Sequence, residues 1–325
     1  MRVLVTGGAG YIGSHVARQL AKRGHGVVIY DNLSVGHRCF ANGFPLVDKE
    51  LSDPTALSSA LRDMDAVMHF AAYAYVGESI ENPRKYFDNN VKCGLALLNA
   101  VIDAAVPRFV FSSTCAVYGI PERNPISEET ARDPVNPYGV SKLFLENALE
   151  AYSNAYGLRY VSLRYFNAAG ADESGDIGEF HCPETHLIPC ALQVAAGYHP
   201  EVELYGDDYP TPDGTCIRDF VHVSDLAEGH LAALDYLAAG GHSTAVNLGT
   251  GRGYSVKEVL STIEDVTNRV LPVRIKPRRP GDPPILVADA SRAQRILNWS
   301  PSRSMRDMVS DAWRWMQKIQ EDSSF

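Results

Sequence analysis

No run of this sequence stays apolar for the roughly 18 residues that a helix needs to cross a bilayer, which excludes a membrane-spanning helix. A disulfide framework is missing too. The six cysteines, at 39, 93, 115, 182, 190 and 216, include no C-x-x-C pair, and in a chain of 325 residues that pattern fits reduced thiols. There is no basic run, since Arg278-Arg279 is too short to serve as one, and the formal net charge is −9. A nucleic-acid partner is therefore excluded, while a small anionic ligand is not. Internal repeats and low-complexity tracts are also lacking. The apolar residues 3–5 run straight into glycines, so no secretory leader is expected and the cytoplasm is the expected compartment. What remains is an ordinary globular composition, 45% hydrophobic and 21% charged, enough for one large domain or two unequal ones.

The first half alternates short β-branched runs with longer helical patterns. Strands are expected at residues 2–6, 27–30, 44–47, 66–70, 108–112 and 158–163, with helices at 12–23, 83–104 and 137–156. The strands read as continuous apolar runs, as in a parallel sheet buried on both faces. Such repetition predicts a doubly wound α/β sheet of Rossmann type. After about Ala168 the turns cluster and the elements shorten. A dinucleotide-binding domain over 1–168 and a smaller α/β substrate domain over 169–325 are expected, with residues around 215–237 folding back on the first.

Residues 7–13 read GGAGYIG and satisfy G-x-G-x-x-G as Gly8, Gly10 and Gly13, while Gly7, Gly10 and Gly13 keep an equal spacing of three. Such a loop needs a tight turn, close backbone approach to a pyrophosphate and tight packing of helix on strand. Alone the match is weak, but here it follows a strand and opens a helix. The pyrophosphate then rests on the positive end of that helix. Asp31 closes the second strand, 18 residues beyond Gly13, where a carboxylate accepts hydrogen bonds from a ribose. A 2′-phosphate would be repelled there, and no arginine occupies 32–37, so the cofactor is expected to be NAD and not NADP.

Asn136-Pro137 starts a helix well, with asparagine as N-cap and proline at the first helical position. Tyr138 and Lys142 follow at i and i+4 and share one helix face. A tyrosine is a poor base at neutral pH, and a neighbouring ammonium favours its phenolate. An isolated YxxxK is more often a surface pair. After a dinucleotide fold, and with Ser112-Ser113-Thr114 ending the fifth strand, the pair reads as catalytic, because ligands bind at those strand ends.

GGAGYIGSH, FSSTCAVYG, NPYGVSK and RYFNAAGA, in that order, resemble the extended short-chain dehydrogenase/reductase family and, within it, the UDP-galactose/UDP-glucose 4-epimerases. DNNV (88–91), GTCIRDFVHV (214–223) and RRPGD (278–282) extend the match, which runs to about Trp315. The resemblance implies an NAD that stays bound and C4 inversion through a transient 4-keto sugar. Tyr138 would take the proton of the 4-hydroxyl, Thr114 would hydrogen-bond the same oxygen, and Lys142 would bind the nicotinamide ribose. It assigns to the cofactor Gly7, Gly10, Tyr11, Ile12, Gly13, Asp31, Asn32, Glu50, Leu51, Phe70, Ala71, Ala72, Asn90, Ser112, Tyr138, Lys142 and Phe166. It assigns to the UDP-sugar Thr114, Tyr138, Asn167, His186, Leu187, Tyr205, Arg218, Arg279, Asp282 and Leu286. Arg218 and Arg279 would grip the diphosphate, as arginine does best. Asp282 would take the uridine ribose, and Tyr205 would lie where the uracil is held.

Several alternatives follow from the same resemblance. Dehydratases of sugar nucleotides need an acid/base pair after the threonine, and Cys115-Ala116 supplies none. Epimerases of UDP-xylose/UDP-arabinose or of UDP-N-acetylhexosamines stay open. Many relatives carry a lysine where Ala74 stands, which bears on NAD retention. Leu286 takes a position filled by tyrosine in some relatives and by a small residue in others, so weak turnover of N-acetylated sugars is expected. A homodimer pairing helices 83–104 and 137–156 is implied. The stretch FHCPETHL (180–187) brings two histidines, a cysteine and a glutamate together. It lacks a recognised metal-ligand spacing, and hydride transfer needs no metal, so no metal ligand is expected and His186 reads as a hydrogen-bonding residue at the pocket lip.

Overall fold

Val3, Leu4 and Val5 are fully buried, and so are Ala66, Val67 and Met68, because both faces of the strands that carry them are covered. These strands belong to a seven-stranded parallel sheet. Its members are β1 (Arg2–Thr6), β2 (Gly26–Asp31), β3 (Leu46–Asp48), β4 (Ala66–His69), β5 (Arg108–Thr114), β6 (Arg159–Tyr165) and β10 (Thr244–Leu248), in the order β10-β6-β5-β4-β1-β2-β3. The computed structural model describes residues 1–279 and 281–321; Pro280, within the RRPGD stretch, lies outside them. The chain reverses its direction of winding between β1 and β4, and the crevice at their carboxyl ends is where a doubly wound sheet takes its ligand.

Helices α1 (Tyr11–Lys22) and α8 (Val223–Ala238) cover one face of the sheet. Leu226, Ala227, Leu231 and Leu234 meet Val16, Ala17 and Leu20 in one buried cluster. On the other face lie α2 (Pro54–Ala60), α5 (Gly94–Asp103) and α6 (Pro137–Tyr156), with Leu57, Leu97, Leu98, Leu145 and Leu149 buried beneath them. The helix expected over 83–104 is broken into α4 (Pro83–Tyr86), a π-helical stretch Phe87–Cys93 and α5, with α3 (Val76–Glu81) just ahead of it. The wider π turn carries Asn90 inward, where it is 1% exposed.

Residues 215–237 divide between two neighbours. Strand β9 (Ile217–His222) pairs with β7 (Asn167–Ala169), β11 (Gly253–Ser255) and β13 (Ile285–Leu286), whereas α8, which follows it, packs on the large sheet. A short pair, β8 (Val202–Tyr205) with β12 (Val273–Lys276), completes the strands. Helices α7 (Leu187–Ala195), α9 (Val256–Thr267) and α10 (Met305–Glu321) enclose a second core with Ile188, Leu192, Val259, Ile263 and Met308 buried at its centre. No described helix is long and apolar enough to cross a membrane.

Candidate active site

The glycines after β1 are fixed by contact. A Cβ on Gly7, whose φ is +72°, would lie 2.5 Å from Ala71 N, and one on Gly13 would lie 2.2 Å from Gly7 O. Helix α1 starts on Gly10 with no side-chain cap and no acidic residue in its first turn. Its positive end therefore stays available to an anion. Asp31 is 7% exposed and accepts Ala9 N–H at 2.9 Å and Leu33 N–H at 2.8 Å. One lone pair on each oxygen remains for a ribose hydroxyl. Burial pushes this carboxyl above its usual range, and the two backbone bonds oppose the shift. Asn32 donates to both oxygens of Glu50 at 3.0 Å, and Leu51 is buried behind them. These features fit a dinucleotide: a bare helix terminus, two glycines that admit no side chain, and a buried carboxylate at the end of β2 with acceptor capacity to spare.

Phe70, Ala71 and Ala72 leave the end of β4 beside Gly7. Asn90 belongs to this loop in a supporting role. Its two amide hydrogens go to Tyr73 O and Ser141 Oγ, both at 3.0 Å, and its oxygen accepts Tyr73 N–H at 2.9 Å. It therefore fastens the β4 loop to α6 and keeps no amide hydrogen for a cofactor.

The carboxyl end of β5 meets the first turns of α6. Asn136 caps that helix by accepting Gly139 N–H at 2.8 Å, which places Tyr138 and Lys142 over Ser112–Thr114. Thr114 accepts Ala116 N–H at 3.1 Å and hydrogen-bonds the Tyr138 phenol. Lys142 is 3% exposed, donates to Ser112 O at 2.8 Å, and holds its Nζ 6.0 Å from the centre of the Tyr138 ring. Burial pushes the Tyr138 phenol up to about 12, against the Thr114 bond. Burial also brings the Lys142 ammonium down to about 7, against Glu146. The protein alone thus holds a neutral phenol beside an easily deprotonated amine. A further positive charge at the ring would favour the phenolate.

Beneath this pair lies a network that sequence reasoning missed. Glu146 accepts from Ser113 at 2.6 Å and from two nitrogens of Arg164, at 2.9 and 2.6 Å; Arg164 also donates to Tyr118. Tyr165 hydrogen-bonds Ser112 and borders Tyr138. None of these residues neighbours its partner in sequence, so no local pattern announces them.

On the opposite wall β9 presents Arg218, paired with Asp282 at 2.5 Å. Behind it Asp219, fully buried, accepts from Thr250, Gly251 and Ala288 at 2.6–3.1 Å and so ties β9 to the chain after β10 and to the residues after β13. Arg279 lies over the Tyr205 ring at 4.1 Å. Phe166 is buried with Val117, Tyr118, Ile126 and Ala288, and Leu286 packs against that group. Asn167 opens β7 beside β9, and Ala74 is exposed.

His186 precedes α7 as its N-cap, and Leu187 is the first helical residue. The imidazole is held from an unexpected side. Its Nδ1 lies 2.6 Å from Glu179 and 3.1 Å from Glu184, and His181 Nδ1 lies 3.2 and 3.5 Å from the same two residues. Burial disfavours both charged imidazoles, but the two carboxylates outweigh it and hold them above the ordinary histidine range. Glu179 stands one position ahead of the 180–187 stretch, which is why the cluster is incomplete in the sequence.

A model of the NAD dependent epimerase/dehydratase family matches residues 3–249. The chain is similar to the UDP-glucose 4-epimerase of Rhizobium leguminosarum bv. trifolii, 47% identical over 318 residues that cover 97% of each chain. Among solved structures it is similar to the UDP-glucose 4-epimerase of Brucella ovis in complex with NAD, at TM-score 0.94 and 48% identity over 97% of this chain and 98% of that one. It is also similar to the Stenotrophomonas maltophila UDP-glucose-4-epimerase with bound NAD and formylated UDP-arabinopyranose, at TM-score 0.96 and 42% identity over 99% of each. With its glycine loop, tyrosine-lysine pair and full-length likeness in place, this chain belongs to the NAD dependent epimerase/dehydratase family.

Proposed function

We propose that the chain is an NAD-dependent UDP-glucose 4-epimerase, interconverting UDP-galactose and UDP-glucose through a transient 4-keto sugar. One observation carries the mechanism: Thr114, Tyr138 and Lys142 converge at the mouth of the dinucleotide loop. Bound NAD would supply the acceptor for the C4 hydride and the donor for its return. Tyr138 takes the proton of the 4-hydroxyl as a phenolate and gives it back after the hydride returns. Thr114, whose oxygen already accepts Ala116 N–H, keeps its own hydrogen for the phenol or the sugar oxygen. Lys142 in its ammonium form stabilises the phenolate and reaches the cofactor ribose.

Gly7, Gly10, Tyr11, Ile12 and Gly13 cradle the pyrophosphate. Asp31, Asn32, Glu50 and Leu51 form the adenosine end. Phe70, Ala71, Ala72, Ser112 and Phe166 line the passage to the nicotinamide, and Asn90 secures it. Arg218 and Arg279 take the diphosphate, Asp282 and Tyr205 the uridine, and Asn167, His186, Leu187 and Leu286 the remaining contacts. A division at about residue 168 separates most of these roles; Thr114, Tyr138 and Asn167 reach the sugar from the first part, and α8 and β10 return to the cofactor half. The alternative of dehydration finds little support, because burial pushes the Cys115 thiol up to about 12 and the Ala116 methyl offers no acid or base group.

Apolar Val76, Ile80, Phe87, Val140 and Phe144 are exposed, between 38% and 57%, on α3, the π turn and α6. This face supports a homodimer built on those helices. Cys93, Cys115, Cys182, Cys190 and Cys216 are thiols outside any disulfide, which supports a reducing, cytoplasmic setting.

The experiment is conversion of UDP-galactose by purified protein with no NAD added, followed by NMR, alongside a panel of other UDP-sugars. UDP-glucose should form without accumulation of reduced cofactor. Tyr138→Phe should lower turnover by about a thousandfold while NAD still binds; an active variant would refute the mechanism. With leucine at 286, UDP-N-acetylgalactosamine should turn over far more slowly than UDP-galactose.

A further inference from the structure

We propose that Glu179, His181, Glu184 and His186 together bind one divalent first-row transition metal ion, zinc being the best match, which fastens the loop between β7 and α7 over the dinucleotide loop. Each of the four offers one ligand atom, and all four atoms lie within 4.8 Å of one another. Zinc with imidazole and carboxylate ligands at about 2.0–2.2 Å forms a tetrahedron whose edges are about 3.3–3.5 Å. The imidazole Nδ1 atoms lie 3.2 and 2.6 Å from the same Glu179 oxygen and 3.5 and 3.1 Å from the two different oxygens of Glu184, so the 2.6 Å pair has to open and one Glu184 oxygen has to turn to face both rings.

The burial of the donors points the same way. The Glu179 and Glu184 side chains are 7% and 5% exposed, and among the described residues no lysine or arginine pairs with either. Two carboxylates shut from water side by side need positive charge, which two imidazoliums supply in the metal-free chain and one divalent ion would supply with both imidazoles neutral. His181 Nδ1 is enclosed and makes no hydrogen bond of good geometry, although a carboxylate oxygen is 3.2 Å away. A protonated imidazole would aim its N–H at that oxygen, whereas a lone pair aimed at a shared ion has no such requirement. Two imidazoles with two carboxylates form a donor set suited to zinc and its neighbours and unlike the all-oxygen sets of magnesium or calcium.

The ion would act on position and take no part in hydride transfer. The Tyr11 ring stands 6.5 Å from His181, and the Tyr75 ring stands 5.7 Å from His181 and 6.0 Å from His186. Tyr11 opens α1 and Tyr75 follows the β4 loop, so the cluster sits against both cofactor loops. At the far end of its loop Trp315 donates to Glu179 O at 2.9 Å. Ligation through Nδ1 leaves His186 Nε2, on the opposite side of its ring, to meet the nucleotide.

The test uses the untagged full chain, equilibrated with zinc and then dialysed against metal-free buffer. Elemental analysis should find about one zinc per chain, and the double variant His181→Ala/Glu184→Gln should lose at least nine-tenths of it. Cobalt loaded in place of zinc should give the strong visible absorption of a four-coordinate site, abolished by a chelator; this readout needs only the wild-type chain and stands even where the variant fails to fold. Less than a tenth of an ion per chain, zinc retained in full by a folded double variant, or only the weak bands of six-coordinate cobalt would each overturn the proposal.

Discussion

Lys142 and Tyr138 illustrate how a side chain is prepared by its surroundings and completed by a ligand. The phenol stands near 12 and the amine near 7 because both are buried, an arrangement opposite to the one catalysis needs. A phenol works as a base only when deprotonated, so the rate rises with pH through the phenol's value in the loaded enzyme. Lys142→Met removes the cation that favours the phenolate, so that value moves up. The rising limb of kcat against pH should shift to higher pH by about one unit or more, with kcat at neutral pH lower by about a hundredfold. A pH profile of the variant checks this; an unmoved limb would mean that Lys142 only binds. Tyr138, Lys142 and Thr114 were legible in the sequence because i, i+4 spacing and a strand end are local signals. Glu146, Arg164 and Ser113 were not, since their meeting depends on how β5, β6 and α6 pack.

Elements were read well where a run of residues declared both its period and its ends. Helix α6 begins at the expected Asn136-Pro137 and stops at Gly157, whose φ is +73°. The π turn inside the helix over 83–104 carried no such signal, because Phe87–Cys93 (FDNNVKC) holds no proline or glycine to mark it. The loop joining β1 to α1 invites a test of its own. A methyl on Gly13 would lie 2.2 Å from Gly7 O, a clash with backbone that no rotamer relieves. Gly13→Ala should destabilise the fold by about 1–3 kcal/mol. It should also strip the bound NAD, whose pyrophosphate needs that loop unmoved. Thermal unfolding and the cofactor content of the purified variant report the two effects separately.

The molecule as a whole encloses histidines that cannot carry charge. His15, His69 and His230 are 3%, 2% and 0% exposed, and burial brings them down to about 4, 3 and 4. His15 and His230 each donate Nδ1–H to a backbone carbonyl at 2.8 Å and leave Nε2 without a partner. The unfolded chain protonates these rings near pH 6.5, while the folded chain does not. Between pH 6.5 and about 4 the unfolded state therefore binds more protons, and stability falls as pH falls through that window. Each ring contributes up to about 1.4 kcal/mol per pH unit. Unfolding free energy followed from pH 7 to 4 should decline most steeply near pH 5, where the three rings together contribute a slope approaching three protons, and His230→Phe should make that slope shallower. At this scale the sequence announced six strands of the large sheet and not the seventh, because TAVNL is a short run among turns whose partner lies far back in the chain. That distance has its own consequence. β10 pairs with β6 only after roughly 80 further residues have been made, which at about 5–20 residues per second is about 4–16 s. Through that interval the emerging sheet exposes the open edge of β6, a template for pairing with other chains. The vulnerable stage in the life of this protein is thus its own synthesis, and a chain cut before residue 244 should accumulate as aggregate.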